Sequence, residues 1–186
     1  NMGHTFPGAT VPFGIVQLSP ETDTVLFTYG KGYNPEVYRY CSGYQYDDKT
    51  IVGFSHTHFN GPGHSDLGDF LVMPTIGELQ INPGTKDNPD SGYRSYFSHQ
   101  NEVAHPGYYR VKLDDYNITA ELTATERVGF HKYTFPKSDS AHIILDLTSG
   151  IYSYDGKIVW SSVRVENDTL VTGYRQTNGW ARTRLL

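Results

Sequence analysis

Three of the eight histidines in this chain, His56, His58 and His64, share one stretch with Asp66 and Asp69: GFSHTHFNGPGHSDLGDFLVMP, residues 53–74. Imidazole and carboxylate groups ligate metals and move protons, so spacing decides which chemistry is open to them. Ile51, Val52, Phe54 and Thr57 favour extended backbone, and Ile51 to His58 reads as a strand. Side chains alternate along a strand, so His56 and His58 are expected on one face. Completed by His64 or Asp66, that pair would be a metal site. The same imidazoles can instead hydrogen-bond a ligand or a neighbouring loop, or be purely structural. An H-x-H is less specific than the longer zinc signatures, and the spacing favours the polar-loop readings. Asn60-Gly61-Pro62-Gly63 reads as a glycine-dependent turn on this strand scaffold, a setting in which binding groups are common.

Two other segments offer binding chemistry. Tyr33, Tyr38, Tyr40, Tyr44 and Tyr46 crowd around CSGYQYDD, residues 41–48. A tyrosine ring has an apolar face and a hydroxyl tip, which suits a sugar ring with apolar C–H faces and a polar rim; a tyrosine-rich core edge would look the same in sequence. Phe6-Pro7-Gly8 sets an aromatic beside accessible backbone, and the plainer expectation is a packed turn. Asp47-Asp48 reads as a turn, because adjacent residues in extended chain diverge whereas paired glycosidase carboxylates face a common bond. Glu102, Glu121 and Glu126 read as isolated carboxylates on a turn, a strand face and a strand edge. The sequence has no G-x-S-x-G elbow, Walker loop, H-E-x-x-H or C-x-x-C.

The elements that must position these groups are strands. Asn117 to Thr125 alternates Ile118, Ala120 and Leu122 with Thr119, Glu121 and Thr123, the pattern of a strand with one dry face. Phe13 to Leu18, Tyr93 to Ser98, Tyr108 to Leu113, Val128 to Phe135, Lys157 to Glu166 and Thr169 to Arg175 also read as strands. Ala141 to Leu147 is apolar apart from His142 and is expected to be buried. Thr75 to Asp90 reads as a weak hairpin turning at Asn82-Pro83-Gly84, and Gly30-Lys31-Gly32 and Asn34-Pro35 read as turns. No segment has the periodicity of an amphipathic helix of three or more turns. With 19 glycines and ten prolines supplying reversals, the expected class is all-β, an antiparallel β-sandwich.

Composition narrows the function. Apolar residues at 37% and charged residues at 19% suit a globular domain rather than a disordered one. A net charge of −5 without a basic run gives no support to nucleic-acid binding, and no apolar run has the length of a membrane span. The single cysteine, Cys41, cannot form an intrachain disulfide. No signal peptide is visible. Both ends read as abrupt, so the expectation is one domain over residues 1–186, a fragment truncated at both ends.

Five segments in order resemble one family: HTFPGATVPFGIVQLSP (4–20), CSGYQYDD (41–48), GFSHTHFNGPGHSDLGDFLVMP (53–74), EVAHPGYYRVKL (102–113) and ELTATERVGFHKYTFP (121–136). Together they resemble the N-terminal domain of glycoside hydrolase family 92, the α-mannosidases. The resemblance implies a calcium-dependent, exo-acting, inverting enzyme that releases terminal α-mannosyl units from glycans, in keeping with N-glycan degradation. It implies an N-terminal β-sandwich packed on a larger C-terminal (α/α)6-barrel domain, absent from this sequence, with the active site between them. General acid, general base and Ca²⁺ ligands belong chiefly to that catalytic domain, so no catalytic or metal residue is assigned here. The partners implied are a mannose-containing glycan and the chain's own C-terminal domain, in a periplasmic or extracellular setting.

The resemblance marks Phe6, Gly8, Tyr38, Arg39, Tyr40, Cys41, Ser42, Tyr44, His56, His58 and Asn60 as substrate-side residues. The segment before Cys41 corresponds to the leaving-group side of the pocket. Members specific for α-1,2 linkages carry a tryptophan there, and this sequence has Tyr38-Arg39-Tyr40. Calcium prefers oxygen ligands, which leaves the histidines to brace the pocket. The alternative from another class is a stand-alone carbohydrate-binding β-sandwich without catalysis.

Overall fold

Alternation along the chain decides which faces are buried. In Ile118–Ala124 the side chains of Ile118, Ala120, Leu122 and Ala124 point into the protein and Thr123 points out. Tyr108–Leu113 does the same with Tyr109, Val111 and Leu113. The computed structural model describes residues 4–26, 34–59, 66–179 and 184–185. Two four-stranded antiparallel sheets make the body. One runs in the order Ser19–Glu21, Gly53–Ser55, Leu71–Ile76, Ala141–Asp146; the other runs Gly129–Thr134, Ile118–Ala124, Tyr108–Leu113, Val103–His105. Leu18, Phe54, Leu71 and Met73 from the first sheet and its approach meet Tyr109, Val111, Leu113, Ile118 and Leu122 from the second in one apolar core. The fold is therefore the expected β-sandwich. A third sheet, Ile158–Asn167, Leu170–Thr177 and Arg184–Leu185, follows in sequence. One short pairing, Tyr152–Ser153 with Val25–Leu26, is parallel.

Several expectations need correction. Phe13 to Leu18 is not a strand: Gly14 N–H donates to Val11 O at 3.0 Å, closing a turn with Pro12 and Phe13 at its corners. Phe13 holds φ at 61° and is fully exposed. Ile51 to His58 is not one strand either. Thr50–Ile51 and Gly53–Ser55 pair with different partners, and regular structure stops at Ser55. Asn34-Pro35 starts a short helix, Pro35–Arg39, rather than a plain turn. Asn34 Oδ1 caps it by accepting from Glu36 N–H at 3.0 Å, and proline stands at the first helical position, where its missing N–H is harmless. The hairpin expected over Thr75 to Asp90 does not form, since Leu71–Ile76 pairs instead with Ala141–Asp146. Ala141–Asp146 is an edge strand with one face outward, leaving Ile143 and Leu145 exposed rather than buried. The turn at Gly30-Lys31-Gly32 lies outside the described residues.

Core position should dominate stability. Leu122→Ala, at a site 1% exposed, is expected to cost about 2–5 kcal/mol. Leu170→Ala, on an exposed strand face, should cost less than about 0.5 kcal/mol. Urea unfolding of the two variants checks the difference.

Candidate functional site

Glu21 ends the Ser19–Glu21 strand with its side chain directed inward, 4% exposed. Its Oε1 accepts hydrogen bonds from Ser55 Oγ and from His58 Nε2, the latter at 2.8 Å. His58 Nδ1 donates to the Gln17 carbonyl at 2.8 Å, and the His58 N–H donates to Gln17 Oε1 at 2.9 Å. The Phe6 ring lies 4.9 Å from the His58 ring, centroid to centroid. Gly43 and Gly68 complete the cradle. A Cβ on Gly43 would sit 1.8 Å from Glu21 Oε2, and one on Gly68 would sit 3.4 Å from Oε1. Both glycines hold positive φ, at 76° and 75°, which other residues adopt at a cost. Glu21 Oε2 has no hydrogen-bond partner among the described residues. Glu21 and His58 together thus tie Phe6, Gln17, Gly43, Ser55 and Gly68 into one cluster.

His56 belongs to a different network, which corrects the expected same-face pair. With the strand finished at Ser55, the next residues leave the two-residue alternation. His56 Nδ1 donates to the Phe70 carbonyl at 2.7 Å. That makes its Nε2 an acceptor, and His131 Nε2 lies 3.1 Å from it. His131 Nδ1 in turn meets Tyr133 Oη at 2.7 Å. The directions are consistent if Tyr133 donates to His131 and His131 donates to His56. Burial, the larger cause, and the neighbouring His56 hold His131 down to about 3. Burial also lowers His56 below the usual imidazole range, against the opposing bond to Phe70.

The tyrosines around Cys41 serve two further networks. Tyr40 is 1% exposed. Its hydroxyl donates to Asp48 Oδ2 at 2.6 Å and accepts from Lys86 Nζ at 2.6 Å, while Lys86 also reaches Asp48 Oδ1 at 2.8 Å. Burial and then the Asp48 contact push the Tyr40 hydroxyl far above its ordinary range. Glu102, expected to be isolated, is the centre of the other network. It accepts from Tyr44 Oη at 3.0 Å, Tyr109 Oη at 2.6 Å and His99 Nδ1 at 2.5 Å. His99 Nε2 donates to the Tyr46 carbonyl at 2.7 Å, and the Tyr46 and His99 rings stack 3.9 Å apart.

Asp66, once a candidate metal ligand, pairs with Lys157, and Asp69 pairs with Arg175 at 3.1 Å. All four side chains are essentially buried. Asp69 Oδ2 also accepts from Thr57 Oγ1 at 2.8 Å. These contacts fasten the third sheet to the segment after the histidines. Sequence spacing could not find them, because the partners lie about a hundred positions apart.

The substrate-side residues therefore do not form a single lining. Phe6 and His58 sit at the Glu21 node. Gly8 lines an open hollow of about 430 Å³ with Thr10, Pro12, Phe13, Gln17 and Pro106. Gln17 joins that hollow to His58. Tyr38 and Arg39 are half-buried on the short helix, where Tyr38 packs edge-on against His4 and Arg39 lies 3.6 Å from Glu36. Cys41 and Ser42 are buried, Tyr44 faces Glu102, and Tyr40 reaches a second hollow of about 390 Å³ only through Lys86. Asn60, His64 and the turn between them lie outside the described residues.

Sandwich and node together define a domain that holds a set of loops in fixed shape. The chain belongs to glycosyl hydrolase family 92, as its N-terminal domain: the sequence model of the glycosyl hydrolase family 92 N-terminal domain matches residues 1–185. A family 92 α-mannosidase of Bacteroides thetaiotaomicron, solved in complex with mannoimidazole, is 42% identical with a TM-score of 0.88, over 99% of this chain and 22% of that one. A family 92 inverting mannosidase of Bacteroides thetaiotaomicron VPI-5482 is 28% identical with a TM-score of 0.65, over 96% of this chain and 20% of that one. A protein of Arthroderma benhamiae described as an uncharacterized secreted glycosidase is 29% identical over 155 residues, 80% of this chain and 18% of its own length. The chain spans about a fifth of the length of these relatives.

Two outcomes follow from the networks. The Gly43→Ala variant should be strongly destabilised, because its methyl group collides with Glu21 and its φ is unfavourable; thermal unfolding measures this. The second concerns pH. The unfolded chain binds a proton at His131 near pH 6.5, whereas the folded chain resists it down to about 3. The contribution of neutral His131 is therefore complete above about pH 6.5 and is lost progressively as pH falls toward 3. Melting temperature should drop from pH 7 to pH 5, and less steeply in His131→Gln.

Proposed function

We propose that this chain is the substrate-pocket domain of a periplasmic or extracellular, calcium-dependent, exo-acting, inverting α-mannosidase that acts on terminal α-mannosyl linkages of glycans. The observation that carries this reading is the Glu21 node. Three of the family-like segments meet there: Gln17 from the first, Gly43 from the second, and Ser55 and His58 from the third. The names of two relatives supply α-mannosidase activity and inversion, and the family resemblance supplies exo-action and calcium dependence. An inverting hydrolase needs two carboxyl groups about 6.5–9.5 Å apart with a water between them, and the family resemblance assigns those groups to the second domain.

Calcium takes six to eight oxygen ligands. Among the described residues no three His, Cys, Asp or Glu side chains gather around one point. The carboxylates Asp48, Asp66, Asp69 and Glu102 are committed to hydroxyl or cationic partners, and Glu21 Oε1 is committed to Ser55 and His58. These residues do not fit a calcium site, and calcium dependence is assigned to the rest of the parent enzyme. The contribution of this domain is positioning: braced loops fix where the terminal sugar can lie. Tyr40 acts indirectly, by holding Asp48 and Lys86 beside the second hollow.

The test is mannose release from α-linked mannobiosides. The 186-residue chain alone should be inactive, and the full-length parent active only with calcium. His58→Phe in the parent should lower turnover broadly, and Tyr40→Phe should alter the preference among linkages. Turnover by the isolated chain would refute the division of labour, and an unchanged linkage profile would refute the role of Tyr40.

A further inference from the structure

The third sheet carries an apolar stripe that nothing among the described residues covers. Residues directly paired across antiparallel strands share a face. The pairs Ser161–Arg175, Val163–Gly173 and Val165–Val171 therefore set Val163, Val165 and Val171 on the face that holds Arg175. Arg175 is fully buried and paired with Asp69, so this face looks toward the body of the protein. Farther along the hairpin the cover ends: Val163 is 48% exposed, Val171 54% and Val165 71%. The opposite face is polar at the same level, where Glu166 pairs with Arg164 at 3.2 Å and accepts from Thr172 Oγ1 at 2.8 Å. A sheet surface that meets water is ordinarily the polar one, which leaves the valine face as the side built for contact.

The stripe continues onto the first sheet. Ile143 and Leu145, two residues apart on Ala141–Asp146, share its exposed face. Between that strand and the hairpin lies a hollow of about 210 Å³, whose lining includes Phe70, Leu145, Leu147, Val163, Val171 and Tyr174. Both flanking strands, Ala141–Asp146 and Ile158–Asn167, are sheet edges, each paired on one side only among the described residues. Native proteins pair, cover or charge such edges, and a contiguous exposed apolar surface marks a contact site. Chain length indicates the occupant. This chain matches 22% of the family 92 α-mannosidase that is 42% identical to it, so most of that relative's polypeptide lies outside the matched part. A segment of the same polypeptide meets the hollow at an effective concentration of about millimolar order, which a second copy does not reach.

We propose, on the reading of this chain as one domain of a longer enzyme, that the hollow and the valine stripe receive an extended, apolar segment of the parent polypeptide from outside residues 1–186. Its side chains fill the hollow between Leu145 and Val171, and its backbone pairs with one of the two free edges, as in strand addition. A two-stranded ribbon alone is marginal in water, so the hairpin beyond Arg175 takes its rigidity from this contact.

The experiment compares backbone hydrogen exchange in the 186-residue chain and in the full-length parent. Amides of residues 161–173 should exchange about tenfold more slowly in the parent, while those of Tyr108–Leu113 change little. Val163→Asp in the parent should return the hairpin to the exchange rate of the isolated chain. In the isolated chain the same substitution falls on an exposed site and should leave the melting temperature within about 2 °C. Val165→Cys gives a second reading that needs no disrupted contact. Cys41 is buried, and maleimide labelling of the introduced thiol, followed on its own peptide, should be about tenfold slower in the parent than in the isolated chain. Equal exchange and equal labelling in the two proteins would overturn the proposal. Protection that appears only as the parent dimerises would overturn it too, by assigning the face to a second copy. Neither readout involves mannose release, so failure here and failure of the mannosidase reading are seen separately.

Discussion

The structure depends on one buried carboxylate accepting two hydrogen bonds. Glu21 reaches Ser55 and His58, and His58 reaches back to Gln17. Removing one partner from such a buried group exposes the other to an uncompensated loss of several kcal/mol, so these residues stand or fall together. The strands around them would pair with or without the node. Around the node the loops are also joined through their backbones, Gln17 N–H to the His56 carbonyl, Thr22 N–H to that of Gly43 and Gly68 N–H to that of Thr57, each at 2.9 Å, so the carboxylate adds side-chain contacts to positions the backbone already brings together.

Apolar and polar forces divide the work. Burial of Phe54, Leu71, Tyr109 and Leu122 brings the sheets face to face, but it is nondirectional. Directional contacts then fix the details. Glu102 ties Tyr44 to Tyr109, Asp48 ties Tyr40 to Lys86, and the two aspartates Asp66 and Asp69 hold the third sheet. Three of the 15 tyrosines, Tyr40, Tyr44 and Tyr109, are thereby accounted for. These hydroxyls reach buried carboxylates, a use different from stacking against sugar, and only Tyr46 keeps a largely exposed ring among the three tyrosines beside Cys41.

The sheets were legible in sequence because their pattern is local. Tyr108–Leu113, Ile118–Ala124 and Gly129–Thr134 appear within a residue or two of where alternation places them. The resemblance in five segments was legible for the same reason: each is a short run. Pairings across the chain were not. His56 read as the partner of His58 because they are two residues apart, yet its partner is His131, brought near only when the sheets stack. Glu102 read as an isolated acid because nothing near it in sequence reveals Tyr44 and Tyr109. Exposure of Ile143 and Leu145 was missed because apolar composition shows that a strand can be buried and not which edge of a sheet it occupies.

The turn at Pro12 and Phe13 carries a different message. A bulky side chain in the left-handed region costs about 1–2 kcal/mol, and glycine would occupy the same corner without that penalty. Phe13 also recovers nothing by burial, since it is fully exposed. A phenylalanine standing there, at the tip beside the Gly8 hollow, is a local cost in stability that its own burial does not offset.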